Sequence, residues 1–289
     1  MKKQIYALIL IGLMVFITGC ESDDDETLEK AYLGGSQAIV ASFNTIGAEN
    51  EITQDDRFSI EIDLKNQGEF DIDEDKINVY LDNVPDFKGI SSTTLTNPDP
   101  LFKRTKNFDG GETTISFSES AYYDLIITGA FRDINLYATV CYPYRTVIEA
   151  KACYNTDLKD DSICEPNQDN VEFEVSGAPL QVTGIQQVRE SSNRIALYFD
   201  IENQGNGKSS LACRNLKSEN KLNFEMEDDD WDCRYGGSTT EAKLVNNKQR
   251  IKCTKEIDSD DNFERSELLY LNYYYSTTIK QDLKIYKSE

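Results

Sequence analysis

Two twelve-residue stretches lying 137 residues apart constrain the fold more than any other feature of the chain. One runs from Arg57 to Gly68 and the other from Arg194 to Gly205, and five of their twelve positions are identical. In the first, Phe58, Ile60, Ile62 and Leu64 alternate with Ser59, Glu61, Asp63 and Lys65. In the second, Ile195, Leu197, Phe199 and Ile201 alternate with Ala196, Tyr198, Asp200 and Glu202. Successive strand side chains point to opposite faces, so this period-two pattern predicts a half-buried strand in each copy. Asn66-Gln67-Gly68 and Asn203-Gln204-Gly205 follow. Asn tolerates left-handed backbone and Gly adopts it at little cost, so each strand should end in a turn. The spacing is too long for a solenoid repeat and fits tandem domains.

More strands fit the same scheme. Val171, Phe173 and Val175 alternate with Glu172 and Glu174 just ahead of Ser176-Gly177-Ala178-Pro179, which reads as a domain boundary. Residues 134–144 and 146–154 read as two strands, with shorter ones at 77–80 and 113–117. Leu269, Leu271, Tyr273 and Tyr275 alternate with Tyr270, Asn272 and Tyr274; Ser276-Thr277-Thr278 is then expected to turn the chain into a last strand over 279–286. No stretch after Thr27 carries a 3.6-residue apolar stripe over ten or more positions. Many short strands with polar connections predict an all-β chain: two tandem immunoglobulin-like antiparallel β-sandwiches, residues 37–176 and 179–289. Residues 83–111, holding Pro85, Pro98 and Pro100, form the longest stretch without an assigned element, either a functional loop or a plain connection.

The amino-terminal end speaks to location. Met1-Lys2-Lys3, an apolar run from Ile5 to Thr18, and small residues before Cys20 describe a secretory signal peptide over residues 1–19. At about 14 residues the run is short for a bilayer span of roughly 20; the alternative is an uncleaved anchor helix. Ile17-Thr18-Gly19-Cys20 resembles the lipobox of prokaryotic lipoproteins. That resemblance implies that Cys20 becomes the mature amino terminus and carries lipid, and stable anchoring then takes more than one acyl chain. Glu21-Ser22-Asp23-Asp24-Asp25-Glu26 cannot pack, so residues 20–36 read as an acidic tether reaching up to about 50 Å. An acidic stretch behind a lipidated Cys also resembles the surface-export signal of lipoproteins in some Gram-negative groups; a plain spacer is the alternative.

The paired strands ending in Asn-x-Gly resemble CARDB and related immunoglobulin-like adhesion modules of prokaryotic surface proteins. Residues 64–71 and 140–146, Cys153, Cys164, Gly177-Ala178-Pro179 and the turn from Asn203 to Gly207 resemble a group of uncharacterised envelope proteins of small-genome archaea. The likeness covers roughly residues 38–287 and implies a sandwich fold without implying an activity.

Apart from Cys20 there are six cysteines: Cys141, Cys153, Cys164, Cys213, Cys233 and Cys253. No Cys-x-x-Cys occurs, so neither a zinc ribbon nor a thioredoxin-type site is suggested. In an exported chain six cysteines read as three disulfides, with buried free thiols as the alternative. Cys153 and Cys164 flank a polar loop and are the favoured pair, worth about 3 kcal/mol. Each proposed domain holds three cysteines. Either one bridge joins the domains, or each keeps a free thiol, or the boundary lies elsewhere; a bridge from Cys141 into the second domain would fix the angle between them.

Composition narrows the chemistry. With 30 basic and 52 acidic residues the net charge is −22, which disfavours nucleic acid as a partner. There is no histidine, so Ser-His-Asp and Cys-His catalysis and imidazole zinc sites are excluded. Asp71, Asp73 and Asp75 have calcium-loop spacing, but Lys76 stands where the loop needs glycine. Glu227 to Asp230 with Asp232, and Asp258 to Asp261, are acidic loops that read first as solvated, with Ca²⁺ binding through their oxygens as the alternative. No metal or other cofactor is expected. Trp231, Tyr270 and Tyr274 are candidate ligand contacts, weighed against plain packing. The expectation is a non-enzymatic, extracytoplasmic, membrane-anchored surface lipoprotein making protein contacts in adhesion or envelope assembly, with an envelope protein as partner. The alternative is a lipoprotein that captures a glycan or solute through its aromatic residues.

Overall fold

In a computed structural model, residues 31–155, 163–258 and 261–288 are described. Cys20, the signal peptide, the tether up to residue 30, most of the loop between Cys153 and Cys164, and residues 259–260 lie outside them. Residues Tyr32–Glu289 form one compact unit. Its strands are β1 (Ile39–Phe43), β2 (Glu51–Thr53), β3 (Phe58–Asn66), β4 (Asn78–Asp82), β5 (Phe87–Lys88), β6 (Thr94–Thr96), β7 (Glu112–Tyr123), β8 (Phe131–Asn155) and β9 (Phe173–Val175). They continue with β10 (Leu180–Ser191), β11 (Arg194–Asn203), β12 (Lys208–Ser210), β13 (Lys221–Met226), β14 (Asp232–Arg234), β15 (Glu241–Lys243), β16 (Lys248–Glu256) and β17 (Asn262–Tyr286). Among the described residues a 3₁₀ turn, Leu216–Ser218, is the only helical element.

The chain is all-β and built of sandwiches. One four-stranded sheet runs β1-β3-β7-β5 and a second runs β10-β11-β16-β14. Both lie with a nine-stranded sheet, β15-β13-β17-β8-β4-β6, to which β2, β9 and β12 add at the sides. The repeated sequence accounts for the repeated structure. In β3 every second residue from Phe58 is buried, and β11 alternates likewise from Leu197 onward. The turns match atom for atom. Asn66 donates through Nδ2 to Phe70 O and accepts from Gly68 N, while Asn203 donates to Gly207 O and accepts from Gly205 N. In the pairing, β4 on β8 and β6 on β4 correspond to β13 on β17 and β15 on β13.

Two expected breaks are absent. Residues 134–144 and 146–154 belong to the single 25-residue strand β8. Likewise Ser276-Thr277-Thr278 makes no turn, and β17 runs unbroken for 25 residues. Thr is β-branched and suits a pleated strand as well as it suits a turn, so local chemistry did not separate the two. The strands pair antiparallel along their whole length, Asn262 with Asn155 through Tyr286 with Phe131. Consequently β17, though late in the sequence, continues past β13 to lie beside the half of β8 that pairs β4. Pro143 sits inside β8 without breaking a ladder. On its outer side β4 stops at Cys141 and β9 starts at Ile148, so no strand there needs its missing N–H. Residues 83–111 hold β5 and β6.

At the middle of the β8–β17 ladder four tyrosines form the core. Tyr142 faces Tyr275 and Tyr144 faces Tyr273, with neighbouring ring centroids 6.0–6.2 Å apart. All four are buried, and each hydroxyl has a partner. Tyr142 accepts from Ile39 N and Tyr273 from Leu180 N, the first residues of corresponding strands. Tyr144 donates to Gly177 O and Tyr275 to Asn203 Oδ1. Beside them Glu69 collects the backbone N–H groups of Leu33, Gly34 and Gly177, tying the entering chain to the turn between β9 and β10.

All six described cysteines are bridged. Cys153–Cys164 closes a local loop, Cys233–Cys253 crosses between β14 and β16, and Cys141–Cys213 joins β8 to the segment after β12. The last links the sequence segments 37–176 and 179–289 covalently, in addition to the shared ladder.

Candidate functional site

Trp231, a candidate ligand contact on sequence grounds, is buried instead. Only 6% of it is exposed, and its Nε1 donates to Glu267 Oε2 at 3.2 Å. Glu267 is itself buried on β17 and accepts from Arg265 Nε at 2.7 Å and from the Tyr154 hydroxyl. Asp228 lies alongside, taking Lys255 Nζ at 2.5 Å and the Arg265 guanidinium. Lys255, first of all, with the Asp230 N–H and Arg265, holds the Asp228 carboxyl well below the usual carboxylate range. Burial, and then the hydrogen bond to Glu267, push the Tyr154 phenol up. An unpaired buried charge is costly, and here each is paired and hydrogen-bonded: Glu267 and Trp231 lie inside, while Asp228 and Arg265 bring the network out to the surface.

Tyr270 and Tyr274 do face outward on β17, both half-buried. Tyr270 donates to Glu227 Oε1 at 2.8 Å and lies under the Arg145 guanidinium, 4.9 Å from the ring centre. Burial, and then Glu227, push its phenol up to about 12. Arg145 is held by Asn272 Oδ1 at 2.7 Å, which makes this patch a packed lattice on the sheet surface. Tyr274 lines a small hollow of about 190 Å³ with Phe70, Pro143 and Leu211.

Two of the acids with calcium-loop spacing, though exposed, already hold protein partners. Asp71 accepts from Lys103 N, and Asp75 from Thr96 Oγ1. Among the described residues no three acids or cysteines converge at metal-binding distance. A cleft of about 480 Å³ gathers Glu190, Asp232 and Glu256, but Lys252, Arg234 and Arg194 pair with them in turn.

A different site emerges along β1, a strand with no clear signal in the sequence. Ile39, Ala41 and Phe43 alternate with Val40 and Ser42, but an exposed Val and a small Ala blur the contrast. A groove of about 330 Å³ runs beside this strand. Its walls are Ser36 to Ala41 on one side and Gln204 to Asn206 with Thr277 to Ile279 on the other; Tyr142, Pro179 and Tyr275 complete it. In a chain with 28% charged residues, none of the groove's lining residues is ionised near neutrality. β1 is the edge of its sheet. Gln67 N donates to Ala38 O and Asn44 N to Glu61 O, so alternate residues of β1 turn their backbone toward β3. By the same alternation Ile39, Ala41 and Phe43 turn theirs away. Ile39 N reaches the Tyr142 hydroxyl; the N–H groups of Ala41 and Phe43 have no partner among the described residues.

No protein-family model and no curated protein matches the chain. Among solved structures it is similar to the envelope protein VP37 of White Spot Syndrome Virus, at 10% identity and a TM-score of 0.23, over 47% of this chain and 98% of that one. At that score the likeness carries no argument about fold or function.

Proposed function

We propose that the chain is a non-enzymatic lipoprotein, held to a membrane through Cys20, that makes protein contacts at the cell surface in adhesion or envelope assembly. The observation that carries the contact function is the uncharged groove beside an unpartnered strand edge. Such a surface offers backbone hydrogen bonds and apolar area, which are means of association. Three disulfides fit an oxidising compartment outside the cytosol, in line with the signal-like residues 1–19. The resemblance to CARDB-like and archaeal envelope proteins points the same way. Glycan capture finds no support in Trp231, whose ring is inside and whose N–H is already used.

Mass spectrometry of the protein from its native membrane tests the anchoring half. The expected result is a mature chain beginning at Cys20 with acyl chains attached; an unprocessed Met1 would overturn it. Protease treatment of intact cells tests display, with loss of the protein expected and full protection contrary to it.

A further inference from the structure

The two copies differ at one side. In the second sandwich, the strand corresponding to β1 is β10, since Leu180 pairs with Asn203 as Ile39 pairs with Asn66. The outer edge of β10 is covered. Gln168 and Gln187 exchange both backbone hydrogen bonds, and Val171 N donates to Ile185 O. The covering segment then crosses to the other sheet, where Lys151 N donates to Glu172 O and β9 pairs with Ile148 to Ala150 of β8. It is stapled at its start by Cys153–Cys164. Residues 164–175 therefore close the second sandwich from sheet to sheet.

The first sandwich has no counterpart among the described residues. Ala41 and Phe43 keep outward N–H groups without partners on β1. Facing them, β17 is paired by β12 up to Ser276 and by β2 from Lys284, and no described strand pairs its outer edge between. The groove lies between these two bare edges, lined by Ser36 to Ala41 and Thr277 to Ile279.

We propose that this groove binds an extended, uncharged polypeptide strand of a partner protein, which pairs with the bare outer edge of β1. The site deepens the contact function proposed above and rests on that reading. Three facts select the occupant. An edge with free N–H and C=O groups is a template for strand addition. The molecule itself shows an extended segment seated further along the same edge of the second copy, at Ile185 and Gln187, which match Phe43 and Thr45 of the first. The groove's lining has no charged side chain to meet a charged strand, and burying an unpaired charge is costly, which disfavours the chain's own Glu21 to Glu26 as the occupant.

The test uses the chain from residue 20, which retains the whole compact unit Tyr32–Glu289. The probe is a peptide copying residues 166–175 with D169N, E172Q and E174Q, and its unmodified acidic form. Amide hydrogen exchange should show the neutral peptide protecting Ala41 and Phe43 at least tenfold, with the acidic form binding at least tenfold more weakly. Ala41→Pro removes an outward N–H that has no internal partner, and Val40→Lys places a charge on an exposed wall position. Each should abolish protection while leaving the thermal transition in place; if Ala41→Pro fails to fold, Val40→Lys decides alone. Absence of protection by the neutral peptide, or protection unchanged in both variants, overturns the proposal. Concentration-dependent dimers that Val40→Lys dissolves would overturn it in favour of a second copy as occupant. Peptide binding reads the groove alone, whereas the mass spectrum reads anchoring, so the two readings fail separately.

Discussion

Glu267 accepts from Tyr154, Trp231 and Arg265 at once; the first two of these donors are buried and the third reaches in from the surface. Removing one partner from a buried charged network costs about 3–5 kcal/mol, so Glu267→Ala should lower stability to urea by that amount. The emission of Trp231, the only tryptophan, should shift to the red as its surroundings loosen. Asp228 gives the same network an acid limit. Its folded-state pKa is depressed, so its contribution is complete above the ordinary carboxylate range and is lost as pH falls below about 4. Acid unfolding should therefore be shallower in Asp228→Asn than in the parent, when stability is followed by circular dichroism from pH 6 downward to about 2. Packing of Trp231 was one of the two readings the sequence offered, and the structure buries it; the network around it was not legible. Trp231 among carboxylates leaves contact and packing both open, because the long-range partner that holds it, Glu267, arrives from another strand 36 residues on.

At the scale of elements, the strand-and-turn unit was legible and its continuation was not. Alternation in Arg57 to Gly68 and Arg194 to Gly205 specified a buried face, and Asn with Gly specified the stop. The turn glycines have a further duty. A Cβ at Gly68 would stand 1.8 Å from the Tyr144 hydroxyl, and one at Gly205 would stand 2.3 Å from that of Tyr275. Gly68→Ala and Gly205→Ala should each destabilise by about 1–3 kcal/mol, the cost of overpacking, as measured by denaturant unfolding. The lengths of β8 and β17 escaped the sequence because buried and part-exposed residues alternate along most of each strand, and the polar residues on the open face look locally like connections. β1 and the groove beside it escaped for a related reason: an edge is defined by what fails to pair with it, which no local pattern encodes.

Across the whole molecule the central tyrosines set an alkaline limit. Burial pushes the phenols of Tyr142 and Tyr273 well above their ordinary value, and those of Tyr144 and Tyr275 upward as well. Below about pH 10 both folded and unfolded chains keep these protons, and there is no effect. Above it the unfolded chain releases them first, so stability falls by up to about 1.4 kcal/mol per pH unit for each phenol that stays protonated. Ultraviolet titration should show phenolate appearing together with loss of the β signal, as one transition. Breaking Cys141–Cys213 by the paired serine substitutions should cost about 4 kcal/mol, given a separation of 72 residues. The ladder between β8 and β17 joins twenty-five facing residue pairs, from Asn262 with Asn155 to Tyr286 with Phe131. A tensile load drawn along either strand meets those pairs in shear, all sharing the force together, so the two halves resist sliding apart far better than they would resist being peeled from one end.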